Sequence, residues 1–105
     1  MAYPVLAENN VTPLFDNMMK QHLLKNNLFA FYLTSDDSQN ESDLTFGYYD
    51  KTKYIGTMKW HPIIYKFMFG IALDDILING RSLGFCGPNG KNKNCIITVD
   101  SGTSY

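Results

Sequence analysis

The chain has 105 residues, with 9 Lys+Arg against 10 Asp+Glu and a formal net charge of −1. It is 45% hydrophobic and 14% aromatic. A chain so apolar is not disordered, has no basic excess to hold nucleic-acid phosphates, and contains no apolar run near the roughly 18 residues of a membrane span. Its length fits one domain with a modest core.

The first residues, Met1 to Asn10, carry neither a basic segment nor a long apolar one, so they are not a signal peptide. Asn10-Val-Thr12 and Asn40-Glu-Ser42 are N-glycosylation sequons in polar, turn-rich stretches, which makes Asn10 and Asn40 candidate acceptors. Residues 13–25 predict the one main helix. Thr12 suits the N-cap, and Pro13 loses nothing by lacking an N–H in the first turn. Asp16 and Lys25 sit at the ends that the helix dipole favours. Leu14, Phe15, Met18, Met19, His22 and Leu23 share one face, which reads as core rather than as a partner groove. Asn26 and Asn27 end the helix.

The remainder reads as strand. Leu28–Thr34 is aromatic and unbroken, and 35–42 is a polar loop. Asp43–Asp50 alternates Leu44, Phe46 and Tyr48 on one face. Gly56–Ile64 predicts a short strand broken at Pro62, and Lys66–Ile78 a long apolar segment. Asn79-Gly80 is a strong hairpin signal, with Arg81–Phe85 returning antiparallel. Cys95–Val99 is the last strand. One helix followed by strands on short turns gives a mostly-β fold, not a βαβ one.

Cys86 and Cys95 bracket a loop of turn formers and polar residues. A disulfide would pin that loop; two reduced thiols are the alternative. A zinc site would need further ligands, and His22 and His61 are distant in sequence. A disulfide together with the sequons favours the secretory pathway.

The last strand runs into Asp100-Ser-Gly-Thr-Ser104. Ile96, Ile97 and Val99 predict burial, so the strand delivers a carboxylate into or beside a core. Such a carboxylate must be hydrogen-bonded, neutral or functional, and the Ser and Thr hydroxyls and the Gly amide are suitable donors. The other reading is an Asx-type turn that closes a strand.

Ile97-Thr-Val-Asp100-Ser-Gly-Thr-Ser104 resembles the active-site signature of the pepsin-like aspartic endopeptidases. The likeness is collinear along the chain. Met1-Ala-Tyr-Pro4, Thr12-Pro-Leu-Phe-Asp-Asn17, Leu28-Phe-Ala-Phe-Tyr-Leu33, Phe46-Gly-Tyr-Tyr-Asp50 and Tyr54-Ile-Gly-Thr-Met-Lys-Trp60 each resemble family segments. Ile71-Ala-Leu-Asp74 and Asn79-Gly80 continue it. The Cys86–Cys95 pair falls where the family has a small disulfide loop. The Asn- and Lys-rich texture leans towards plasmepsin or cathepsin D-like members.

The resemblance implies a two-lobed acid-protease fold. Residues 1–105 would then be part of the peptidase domain: the end of the N-terminal lobe, the interlobe strands and the first part of the C-terminal lobe. Each lobe of this family gives one Asp to a shared cleft, and Asp100 matches the second. By the same match Ser101 and Thr103 hydrogen-bond within the active site, and Gly102 and Ser104 meet substrate, with Thr98 and Met68 lining pockets. No second Asp-Thr/Ser-Gly motif occurs in these residues, so the segment is expected to be a fragment, inactive alone. Tyr48 stands where the family has glycine and would be strained there if that backbone has positive φ. The implied activity is aspartic-type endopeptidase, with no cofactor and no metal. The implied partners are a peptide or protein substrate and the rest of the peptidase, with a location in a lysosome, vacuole or outside the cell and the signal segment upstream. The competing readings are a catalytically inactive pepsin-like binding protein and a free-standing small β interaction domain.

Overall fold

The computed structural model describes residues 3–35 and 41–103, with Asn10 described by its backbone alone. Asn40 and Ser104 lie outside the described residues, as does the side chain of Asn10. The chain divides into two compact units. The described residues are mostly strand and turn with one α-helix. Every sheet is a two-stranded antiparallel ladder.

The unit over Leu14–Lys59 holds the helix, α1 (Leu14–Lys20), and one hairpin, β1 (Phe29–Tyr32) and β2 (Asp43–Phe46). The register pairs Phe29 with Phe46 and Tyr32 with Asp43. Helix α1 is shorter than residues 13–25, and its end has a clear cause. His22 adopts φ 54°, Leu23 N–H donates to Met18 O (3.1 Å), and His22 N–H donates to Met19 O (3.0 Å). That pair of bonds is a Schellman closure with histidine in the left-handed position usually given to glycine. The apolar face is only partly core: Phe15, Met18 and Met19 are half-buried, while Leu14, His22 and Leu23 are exposed. Phe15 packs edge-on against Phe29 (5.1 Å between centroids) and stacks near Phe46 (6.3 Å). These rings are the apolar centre of the unit.

Strand β2 stops at Gly47, whose φ of 82° turns the chain away. Gly47 N–H donates to Leu28 O (2.8 Å), and Asn26 Nδ2 donates to Gly47 O (3.0 Å). Tyr48 is not among the residues with positive φ, so the feared strain there does not arise; Gly47 takes it instead. Of the face expected to carry Leu44, Phe46 and Tyr48, Phe46 is half-buried while Leu44 and Tyr48 are exposed. The stretch expected as a strand over 56–64 forms none: Gly56 takes φ 87° at its start and Pro62 offers no ladder N–H within it.

The other unit comprises Met1–Pro13 and Trp60–Tyr105. It begins with 3₁₀ turns at Pro4–Leu6 and Glu8–Asn10. Tyr3 packs on Phe69 (5.2 Å between centroids). The expected apolar segment from 66 splits into β3 (Gly70–Leu73) and β4 (Leu77–Ile78). Asn79 (φ 50°) and Gly80 (φ 75°) form the tight turn into β5 (Arg81–Ser82), as the Asn-Gly pair requires. The last strand is β6 (Cys95–Thr98), which pairs with β3.

Burial is thin. Among the described residues Cys86 is the one buried hydrophobic side chain. Ile96, Ile97 and Val99, expected inside, stay about half exposed or more. Among the described residues β6 has one neighbouring strand, β3, so its other edge gains no cover from a further strand.

Candidate active site

The site is built by β3 and β6. Their register sets Gly70 opposite Thr98, Ile71 opposite Ile97, Ala72 opposite Ile96 and Leu73 opposite Cys95. β-branched residues at 96–98 favour this extended backbone. Val99 N–H reaches Phe69 O (3.3 Å), which carries the pairing one residue past the strand. The chain then leaves the ladder at Asp100.

Asp100 is exposed rather than sunk in a core. Its carboxylate is nevertheless well held. Thr103 Oγ1 donates to Oδ2 (2.6 Å) and Gly102 N–H donates to Oδ1 (2.9 Å). These bonds, Thr103's hydroxyl first, hold the carboxyl below its ordinary value because they favour the charged form. Gly102 spends its N–H on Asp100. Ser101 is exposed beside them.

The same local chemistry occurs at Asp50. Its Oδ1 accepts from Thr52 N–H (2.8 Å) and from Thr52 Oγ1 (2.7 Å), and its carboxyl is likewise lowered. Asp50 simply caps a 3₁₀ turn over Lys51–Lys53. An Asx turn by itself therefore marks no chemistry. Asp100 differs in its setting, at the open end of a strand with Ser101 and Gly102 following.

Thr98 is half-buried on β6, two residues before Asp100. Met68 lies in the turn leading into β3, and its carbonyl accepts from Gly70 N–H (2.7 Å). Thr98 and Met68 thus meet at Gly70. Reasoning from sequence overlooked Phe69 and Gly70, whose backbones support the end of β6. One signal was present: a lone glycine in a strand pattern marks close backbone approach.

Cys86 and Cys95 form a disulfide with Cα atoms 5.8 Å apart, which disposes of the reduced-thiol and zinc alternatives. It fastens the start of β6 to the loop before it. Within that loop Lys91 N–H donates to Gly84 O (3.1 Å) and Asn92 N–H to Phe85 O (2.9 Å). Among the described residues no cluster of three His, Cys, Asp or Glu side chains could hold a metal ion. No helix among them is long and apolar enough to cross a membrane.

Comparison with known proteins adds to this geometry. The sequence model of the eukaryotic aspartyl protease family matches residues 1–105. Cathepsin E of Cavia porcellus is 40% identical over 104 residues, which is 99% of this chain and 25% of that protein. Cathepsin D of Dictyostelium discoideum is 36% identical over 104 residues, 99% of this chain and 26% of that protein. Pepsin II-2/3 of Oryctolagus cuniculus is 36% identical over 104 residues, with 99% and 25% covered. The chain thus spans about a quarter of the length of these relatives.

Proposed function

The chain belongs to the eukaryotic aspartyl protease family, and from that premise we propose that Asp100 is one of the two catalytic aspartates of an aspartic endopeptidase. The observation that carries the reading is the Asp100 carboxylate, held by Thr103 O–H and Gly102 N–H where β6 releases the chain. On this reading residues 1–105 run from the end of the N-terminal lobe through the interlobe strands into the C-terminal lobe, and the other aspartate comes from outside them. Two carboxylates in contact share one proton, because both cannot ionise comfortably, and they titrate as a pair. The charged member takes a proton from a water, which attacks the scissile carbonyl. The protonated member donates to the carbonyl oxygen. No residue becomes covalently attached to substrate.

The remaining residues have supporting roles. Thr103 and the Gly102 amide keep Asp100 oriented and favour its charged form. Ser101 hydrogen-bonds between the active-site loops. The Gly102 carbonyl and Ser104 border an extended peptide, and Thr98 and Met68 line its side-chain pockets. The substrate is a peptide or protein chain. The Cys86–Cys95 disulfide suits an oxidising compartment. It supports a place in the secretory pathway, in a lysosome or vacuole or outside the cell.

The test is Asp100→Asn in the full-length protein, assayed by cleavage of a denatured protein substrate at acid pH. The change keeps size and turn geometry but removes the titrating group, so cleavage should fall to background. Cleavage at the wild-type rate would overturn the assignment.

A further inference from the structure

Gly70 lies where three chain segments crowd together. Its N–H faces Met68 O (2.7 Å) and Tyr65 O (3.3 Å), and its carbonyl accepts from Ile64 N–H (2.9 Å) and Tyr65 N–H (3.2 Å). Across the ladder stands Thr98, two residues before Asp100. Gly70 is buried in a unit where most side chains are not. A Cβ added there would lie 2.8 Å from Tyr65 Cβ and 2.9 Å from Ile96 Cγ2. Carbon atoms rest at about 3.5–4.0 Å, so neither contact is tolerable.

The direction of the resulting shift follows from how β6 is held. Its start is fixed twice: Cys95 pairs with Leu73 on β3 and is bonded to Cys86. Its far end is held by Gly70 opposite Thr98 and by the bond from Val99 N–H to Phe69 O. A wedge between Tyr65 and Ile96 would therefore swing the far end, which delivers Asp100.

We propose that Gly70 is a positioning residue for Asp100: its missing side chain lets β6 lie against the 65–70 turn and so fixes where the strand presents the carboxylate. The activity readout below rests on the protease reading, while the backbone readouts do not. In the full-length protein, Gly70→Ala should lower kcat roughly 10- to 100-fold with KM within about twofold, since a misplacement near 1 Å costs on that scale. The rate is counted per site titrated with a tight-binding transition-state analogue, so loss of folded protein alone would leave it unchanged. Ile96→Ala removes the facing methyl group from a half-exposed position and should alter kcat little. Gly70→Ala combined with Ile96→Ala clears the contact on the β6 side, leaves the remaining strain to the Tyr65 turn, and should regain most of the lost rate. An unchanged rate per titrated site in Gly70→Ala, or no recovery in the double variant, overturns the proposal.

If Gly70→Ala does not fold, amide hydrogen exchange in the unmodified protein decides. Val99 N–H should be protected to the same degree as the β6 ladder, and exchange as fast as at Ser101 overturns the proposal. If the unmodified protein cleaves nothing, the protease reading fails by itself. The amide resonances of Val99 and Gly102 then carry the test: they should move in Gly70→Ala and return in the double variant. Resonances that stay in place overturn it.

Discussion

Asp100 keeps its charge through donors, not through distance from other groups. Thr103's hydroxyl is the leading contributor, followed by the Gly102 amide. Thr103→Val should therefore raise the Asp100 carboxyl towards its ordinary value, and Thr103→Ser should leave it low. The sign for stability follows. A carboxyl whose native value lies below its unfolded one favours the native state above the ordinary carboxylate range. That contribution disappears as pH falls through the native value. The turn over 100–103 thus keeps its donors engaged at neutral pH and loosens only in stronger acid. A titration of the side-chain carboxyl carbon in the full-length protein reads this as a change in the midpoints of the carboxylate pair between the variants. Asp50 is held by Thr52 in the same way and serves as the internal control. An Asp100 midpoint that does not move in Thr103→Val would remove Thr103 from its role. At this scale the sequence was informative about identity and poor about environment. The Asp-Ser-Gly-Thr run named the donors, because hydroxyls and a glycine amide next to a carboxylate have few other partners. It did not reveal the exposure of Asp100, since burial depends on what covers β6.

Among the elements, β6 is the one whose fixing matters most, and its disulfide is the clearest part of that. The bond links residues separated by 9 in sequence. Closing a loop of that length restrains the unfolded chain by about 2.6 kcal/mol in the chain-entropy account. Reduction, or the double change Cys86→Ser with Cys95→Ser, should lower the unfolding free energy of the full-length protein by about 2–3 kcal/mol. Denaturant midpoints with and without reductant check it. Coincident midpoints would mean that the loop's backbone bonds to Gly84 and Phe85 hold it unaided. The elements differ in how legible they were, for physical reasons. The Asn79-Gly80 turn could be read because its backbone demands residues tolerant of positive φ, and those two are such residues. The end of α1 could not, because His22 in the left-handed region is an uncommon choice that leaves no compositional mark. The apolar face continued past it to Leu23, so periodicity overran the true end. The expected strand at 56–64 failed for another reason: Gly56 at φ 87° turns the chain at its start, and Pro62 has no N–H to give a ladder.

At the scale of the whole molecule, many large apolar side chains among the described residues stand open. Trp60 (69% exposed), Leu77 (59%) and Val99 (64%) are among the uncovered side chains. Each sheet has two strands, and a lone two-stranded ladder is marginal in water; a third strand or a covering layer is normally needed. Residues 1–105 expressed alone should therefore keep some far-UV dichroism, show little near-UV signal despite seven Tyr and one Trp, and bind ANS strongly. Their thermal unfolding should be broad. Those are the observables of a state with secondary structure but without fixed packing. A sharp, cooperative transition with a dispersed amide spectrum would instead favour a free-standing β domain. It would also remove the physical reason for expecting these strands to be completed by polypeptide from elsewhere, on which the two-carboxylate site depends.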